Sequence, residues 1–145
     1  MDEERIGGGC LCGSVRYSAK GPIVAARMCW CRVCQYLASG SATTNILVST
    51  EDLRIEGALA EYRSVADSGN CMARRFCPVC GTHVFSAADD RPHLVVVRVG
   101  TLDDPERGAP EGVIWAARAP SWACWDPALP RTEGQPGPVA VPPAR

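Results

Sequence analysis

The sequence predicts an all-β domain, and three observations carry that reading. Short runs with β-branched residues or apolar–polar alternation recur along its 145 residues. Gly, Pro, Asn and Asp mark turns between them, and no stretch shows a sustained 3.6-residue apolar period. Many short strands with turns between them make an all-β fold. In chain order, residues 14–19 and 22–28 read as a hairpin turning at Lys20-Gly21-Pro22. One helical turn is expected near Gln35–Ala38. Thr43–Val48 is β-branched and strand-like, and Leu53–Ile55 and Ala60–Val65 alternate as half-buried strands do. After a turn over Ala66–Asn70, Met72–Phe76 and His83–Phe85 flank a cysteine knuckle. Leu94–Val99 is the best core strand, and Val113–Ala117 is expected to be another. Six of the 12 prolines lie in Pro127–Arg145, so residues 1–131 are expected to form one domain and 132–145 an extended or disordered tail.

Fifteen basic residues against 16 acidic ones give a net charge of −1, without the basic stripe of a nucleic-acid binder. The longest apolar run, Val113–Ala117, is far below the roughly 18 residues of a spanning helix. The acidic start Met1-Asp2-Glu3-Glu4 has no signal-peptide character, so a cytoplasmic, reducing setting is expected. Nine cysteines there are not a disulfide framework.

Seven of the nine fall in three tight clusters: Cys10-Leu11-Cys12, Cys29-Trp30-Cys31-Arg32-Val33-Cys34 and Cys77-Pro78-Val79-Cys80. Two thiolates from one knuckle occupy two corners of a tetrahedron. Gly81 permits the positive φ such a turn needs. Cys10, Cys12, Cys77 and Cys80 therefore form one expected structural zinc site, closed by four ligands. Cys29, Cys31 and Cys34 remain, one ligand short. Either Cys71, Cys124 or His83 completes a second closed site, or the trio holds an open, catalytic-type zinc. Three thiolates leave a divalent ion with a net charge of −1, a weak Lewis acid with a preference for soft ligands. Such a site suits a substrate thiol better than activated water.

The chain resembles the glutathione-dependent formaldehyde-activating enzyme family, which is related to the domain of centromere protein V. The residues that carry the likeness are Gly9-Cys10-Leu11-Cys12-Gly13-Ser14-Val15-Arg16-Tyr17, Cys29-Trp30-Cys31-Arg32-Val33-Cys34-Gln35 and Arg75-Phe76-Cys77-Pro78-Val79-Cys80-Gly81-Thr82. The likeness extends from about residue 7 to about residue 131. It implies a zinc-pinned fold of the β-tent type, with a structural zinc on Cys10, Cys12, Cys77 and Cys80. It implies a second, catalytic-type zinc on Cys29, Cys31 and Cys34, hence two zincs per chain. The implied activity joins formaldehyde to glutathione as S-hydroxymethylglutathione or cleaves that adduct, a carbon–sulfur lyase reaction.

For a glutathione adduct, Trp30, Arg32, Gln35 and Ser39 are the candidate substrate contacts, because they lie within or just after the trio. Arg74 and Arg75, before the second knuckle, are further cationic candidates. No nucleic acid or membrane is expected as a partner. Two other functions fit parts of the pattern. One is a non-catalytic zinc scaffold that binds a protein. The other is a methionine sulfoxide reductase using Cys71 or Cys124. His93 has no ligand spacing.

Overall fold

The computed structural model describes residues 5–140. Ten strands form two sheets: β1 (Ile6–Gly9), β2 (Arg16–Ala19), β3 (Ala25–Cys29), β4 (Thr43–Ser49), β5 (Leu53–Glu56), β6 (Ala60–Val65), β7 (Cys71–Phe76), β8 (His83–Ala88), β9 (Leu94–Arg98) and β10 (Val113–Ile114). The one α-helix among the described residues, α1, spans Arg32–Leu37. The small sheet has the order β1-β2-β5, and the large one β10-β3-β4-β9-β8-β7-β6. All pairings are antiparallel except β10 with β3. The all-β reading holds.

Alternation along the strands assigns the large sheet two different faces. One face carries Ile46, Val48, Val95, Val97 and Phe85, which pack with Ile6, Tyr17 and Ala19 of the small sheet in one buried core. Tyr17 and Phe85 meet edge to face at 5.1 Å, and the Tyr17 hydroxyl is bonded to Thr101 Oγ1 at 2.8 Å. The opposite face carries Arg27, Cys29, Asn45, Arg98, Ser86 and Arg74, so it is polar where the first is apolar.

Residues 14–19 and 22–28 do not form the expected hairpin. β2 lies between β1 and β5 in the small sheet, whereas β3 pairs with β4 and β10 in the large one. Gly21, at φ 101°, and Pro22 turn the chain from one sheet into the other. β1 is a strand despite three glycines, because bulk is forbidden there. A Cβ on Gly8 would collide with the Thr101 carbonyl and the Tyr17 hydroxyl. The expected strand at Val113–Ala117 stops at Ile114. Trp115 is left-handed at φ 55°, and a 3-10 turn follows over Ala116–Arg118. This break receives the C-terminal segment: the N–H groups of Trp115, Ala116 and Ala117 donate to the carbonyls of Gly134, Thr132 and Glu133. Further on, Val139 packs against Leu47, Leu94 and Val96 on the polar side of the large sheet. Residues 141–145 of the expected tail lie outside the described residues. No helix among the described residues is long and apolar enough to cross a membrane.

Candidate metal centres

Two turns build the first cluster. Cys10 and Cys12 follow β1, with Gly13 at φ 83°, and Cys77–Cys80 follow β7, with Gly81 at φ 76°. The Gly81 N–H donates to the Cys77 carbonyl at 2.9 Å. The Val79 and Cys80 N–H groups aim back at the Cys77 sulfur at 3.3 and 3.4 Å. Across the gap, the Leu11 N–H donates to Thr82 Oγ1 at 3.1 Å and so joins the two turns. The four sulfurs lie within 4.8 Å of one another, with Cys10–Cys12 at 3.6 Å and Cys12–Cys77 at 3.8 Å. Four bonds of about 2.3 Å from zinc to sulfur require tetrahedron edges of roughly 3.8 Å, so the donors fit such an ion. Cys77 is fully buried, so the cluster reaches into the core.

The surroundings of Cys10 and Cys80 favour thiolate, whereas Cys12 is pushed up by burial and by its Cys10 and Cys80 neighbours. Burial raises the Cys10 thiol, but the Val15 N–H at 3.2 Å, the Ser14 hydroxyl and neighbouring thiols outweigh it and hold it at about 7. Thr82 does the same for Cys80, through its hydroxyl at 3.1 Å and its N–H, and lowers it to about 5. Deprotonated sulfur is the form that ligates a metal.

The second cluster lies on the polar side of the large sheet. Cys29 ends β3, Cys31 caps α1, and Cys34 lies in the first turn of that helix. Cys31 and Cys34 are three residues apart, so they share a helix face, and the Cys34 N–H donates to the Cys31 sulfur at 3.3 Å. The helix extends further toward the N-terminus than the turn expected at Gln35–Ala38. All three cysteines are buried, with sulfurs within 4.8 Å of one another. Among the described residues, no fourth His, Cys, Asp or Glu joins them. Cys71 lies at the start of β7, Cys124 is exposed and His83 opens β8, so none completes the trio. The Cys29 and Cys31 thiols, with Arg98 nearby, hold Cys34 well below the ordinary thiol value, whereas its partners push Cys29 up. Three soft donors without a fourth fit a divalent metal with one coordination position available to a ligand.

The trio lines one part of an open cleft whose enclosed volume is about 90 Å³. The four residues expected to touch substrate lie elsewhere. Trp30 is 2% exposed and packs on Trp122 and Trp125. Gln35 is a brace: its amide N–H groups donate to the carbonyls of Trp30 and Arg118 at 2.8 and 3.0 Å. Arg32 donates to the Gln35 amide oxygen at 2.7 Å and lies over the Tyr36 ring. Ser39 follows α1 at φ 57°. None of the four lines the cleft.

The cleft is lined instead by Arg27, Arg74, Arg91 and Arg98, with Trp115 and Gln135 at another part of its wall. The signal for Arg27 was available, because it lies two positions from Cys29 on a strand and hence on the same face. Arg98 likewise interrupts the apolar run Leu94–Val99. Gln135 carried no such signal; it arrives through its bond from the Trp115 indole N–H at 2.9 Å.

A crystal structure of a protein from Rhodobacter sphaeroides, a structural-genomics target, superposes with a TM-score of 0.54 at 24% identity. The match covers 67% of this chain and 87% of that one, and shows the fold. No curated protein matches the sequence. The model of the family described as glutathione-dependent formaldehyde-activating enzyme matches residues 5–118. With most of its length inside that match, and both cysteine clusters assembled, the chain belongs to the glutathione-dependent formaldehyde-activating enzyme family.

Proposed function

We propose that the protein is a zinc-dependent carbon–sulfur lyase that forms or cleaves a glutathione adduct, S-hydroxymethylglutathione or a close relative. The observation that carries this reading is the buried trio, three thiols within 4.8 Å of one another at a cleft, with no fourth donor among the described residues. Cys29, Cys31 and Cys34 would hold zinc there, and the bound ion would favour a substrate thiol as its thiolate, nucleophile in one direction and leaving group in the other.

In the forward direction a sulfur–carbon bond forms, the carbonyl π bond of formaldehyde breaks, and its oxygen takes up a proton. The reverse reaction returns that proton from the hydroxyl as the bond cleaves. The chain's own residues prepare the site. Backbone bonding from Cys34 to Cys31 fixes the two helix ligands relative to each other. Arg98 donates to Asn45 Oδ1 at 2.6 Å and places its positive charge near the Cys34 sulfur. Cys10, Cys12, Cys77 and Cys80 would hold the second zinc in a structural role, since their four donors complete a coordination shell.

The test is exchange of label between formaldehyde and its glutathione adduct, followed by NMR with zinc-loaded protein. Exchange above the spontaneous rate, lost in Cys34→Ser, is the expected result. Exchange at the spontaneous rate would sink the proposal.

A further inference from the structure

The cleft contains a pattern of four cations, of which the chemistry at sulfur uses only Arg98. Arg74 is buried, and Arg27, Arg91 and Arg98 are half-buried, yet none of the four makes an ion pair among the described residues. Their visible partners are neutral: Arg74 donates to Ser64 Oγ and Arg98 to Asn45 Oδ1, each at 2.6 Å. The Nε atoms of Arg91 and Arg98 are buried with no partner at all. Withdrawing guanidinium charge from water without a paired anion is unfavourable, so a fold that buries Arg74 and half-buries three more arginines in one cleft leaves an anion to a ligand.

The sheet sets the spacing of these cations. Arg27, Asn45 and Arg98 are cross-strand neighbours on β3, β4 and β9, in the row next to Cys29. Arg74 pairs with Ser86, which pairs with Val96, one row further from the cysteine end. Arg27 and Arg98 stand two strands apart, as do Arg74 and Arg98, so each pair is separated by roughly 10 Å of backbone. Arg27 feels the charge of Arg91, and Arg98 that of Arg74, so like charges converge in two places. The cleft lining holds one carboxylate, Asp67, and a trio that would carry a single negative charge with a divalent ion bound. Against four guanidiniums this leaves two positive charges over.

We infer that the cleft selects its ligand by charge, taking thiols that carry two separated acidic groups, and that Arg27, Arg74, Arg91 and Arg98 are the residues that select them. The inference rests on the proposed role of the trio and extends it from the sulfur to the rest of the molecule. Neutral thiols would leave the guanidiniums unpaired and bind weakly. Compact anions would satisfy one pair of cations and not the other.

Calorimetric titration of the zinc-loaded protein with glutathione, S-methylglutathione and glutathione diethyl ester tests this. Both free acids should bind, and the diester should bind at least about tenfold more weakly, the worth of one charge-assisted bond. Arg74→Met and Arg98→Met should each lower glutathione affinity by about tenfold and narrow the acid-to-ester ratio, whereas Arg98→Lys keeps most of it. The melting temperature of ligand-free Arg74→Met should equal or exceed that of the parent, because an unpaired buried cation has been removed. Equal binding of acid and diester would overturn the inference. So would failure of both acids to bind, or a variant that melts lower with an unchanged ratio. Equal affinity for glutathione and its S-methyl ether would remove the sulfur from the metal while leaving charge selection intact.

Discussion

The two cysteine clusters are made of the same ligand atoms and differ in where the fold puts them. The four-cysteine cluster joins turns that lie 65 or more residues apart in sequence, and one of its sulfurs is embedded in the main core. The trio comes from six consecutive residues at the end of one strand and the start of one helix, on the polar side of the large sheet. A ligand set that ties distant segments together contributes directly to folding. A local set contributes little to the fold and can be given over to chemistry. On the proposed roles, position, more than donor type, separates a structural site from a functional one.

The largest expected effect breaks the first cluster. Cys77→Ser places a weak ligand at a fully buried position that anchors both the knuckle and the core. Loss of a structural metal belongs among the severe changes, so destabilisation above ~4 kcal/mol is expected, with little folded protein recovered. Far-UV circular dichroism and a denaturant melt would register it. Retention of a parent-like melt would mean that the four thiols do not pin the fold.

Cys34→Ser sharpens the contrast from the other side. The trio is local, so the melting temperature should move by only a few degrees, about 1 kcal/mol for a domain of this size. Metal content should fall from two equivalents to one, and label exchange should fall to the spontaneous rate. A variant that kept two equivalents, or that unfolded like Cys77→Ser, would erase the distinction between the sites.

Between these extremes lies Gly8→Ala. Its Cβ would meet the Thr101 carbonyl and the Tyr17 hydroxyl, both held in place by the bond between Tyr17 and Thr101. Overpacking of this kind costs typically ~1–3 kcal/mol. Since β1 delivers Cys10, the four-cysteine metal should also leave faster to a chelator, while the trio's rate is unchanged. Equal acceleration at both sites would show that the strain spreads through the whole molecule.

Both clusters were legible in the sequence because ligand spacing within a turn is local information. Cys77-Pro78-Val79-Cys80-Gly81 specifies a knuckle without reference to anything distant. The small β domain was legible for the same reason, strand by strand. What could not be read is which strand lies beside which. The turn at Lys20-Gly21-Pro22 announces a change of direction, and nothing local says that it leads into another sheet. Proximity in sequence to the trio does not bring the expected substrate contacts to the cleft wall. Gln35 adjoins Cys34, but adjacent residues on a helix point about 100° apart, and its amide braces Trp30 and Arg118 instead. The four arginines of the cleft come from three strands and one turn, so only the assembled sheet shows that they converge.

His83 gives the smallest test and the one with a definite sign in pH. It lies three residues after Cys80, its ring tilted against Phe76 at 5.4 Å, and its Nδ1 is buried with no partner. Burial, and then the charges of Arg98 and Arg74, lower its proton affinity below the ordinary value of 6.5. The folded protein therefore keeps His83 neutral where the unfolded chain takes up a proton. Stability from this residue is complete above pH 6.5 and is lost progressively as the pH falls below it. Acid also protonates the cluster thiolates, but that loss is common to parent and variant and cancels in their difference. Denaturant melts at pH 7.5 and 5.5 should show a larger acid loss for the parent than for His83→Gln, with the two converging at the higher pH. Equal losses in both proteins would mean that the His83 imidazole is free to charge in the folded state. Neither burial nor the charges of Arg98 and Arg74 would then hold it neutral.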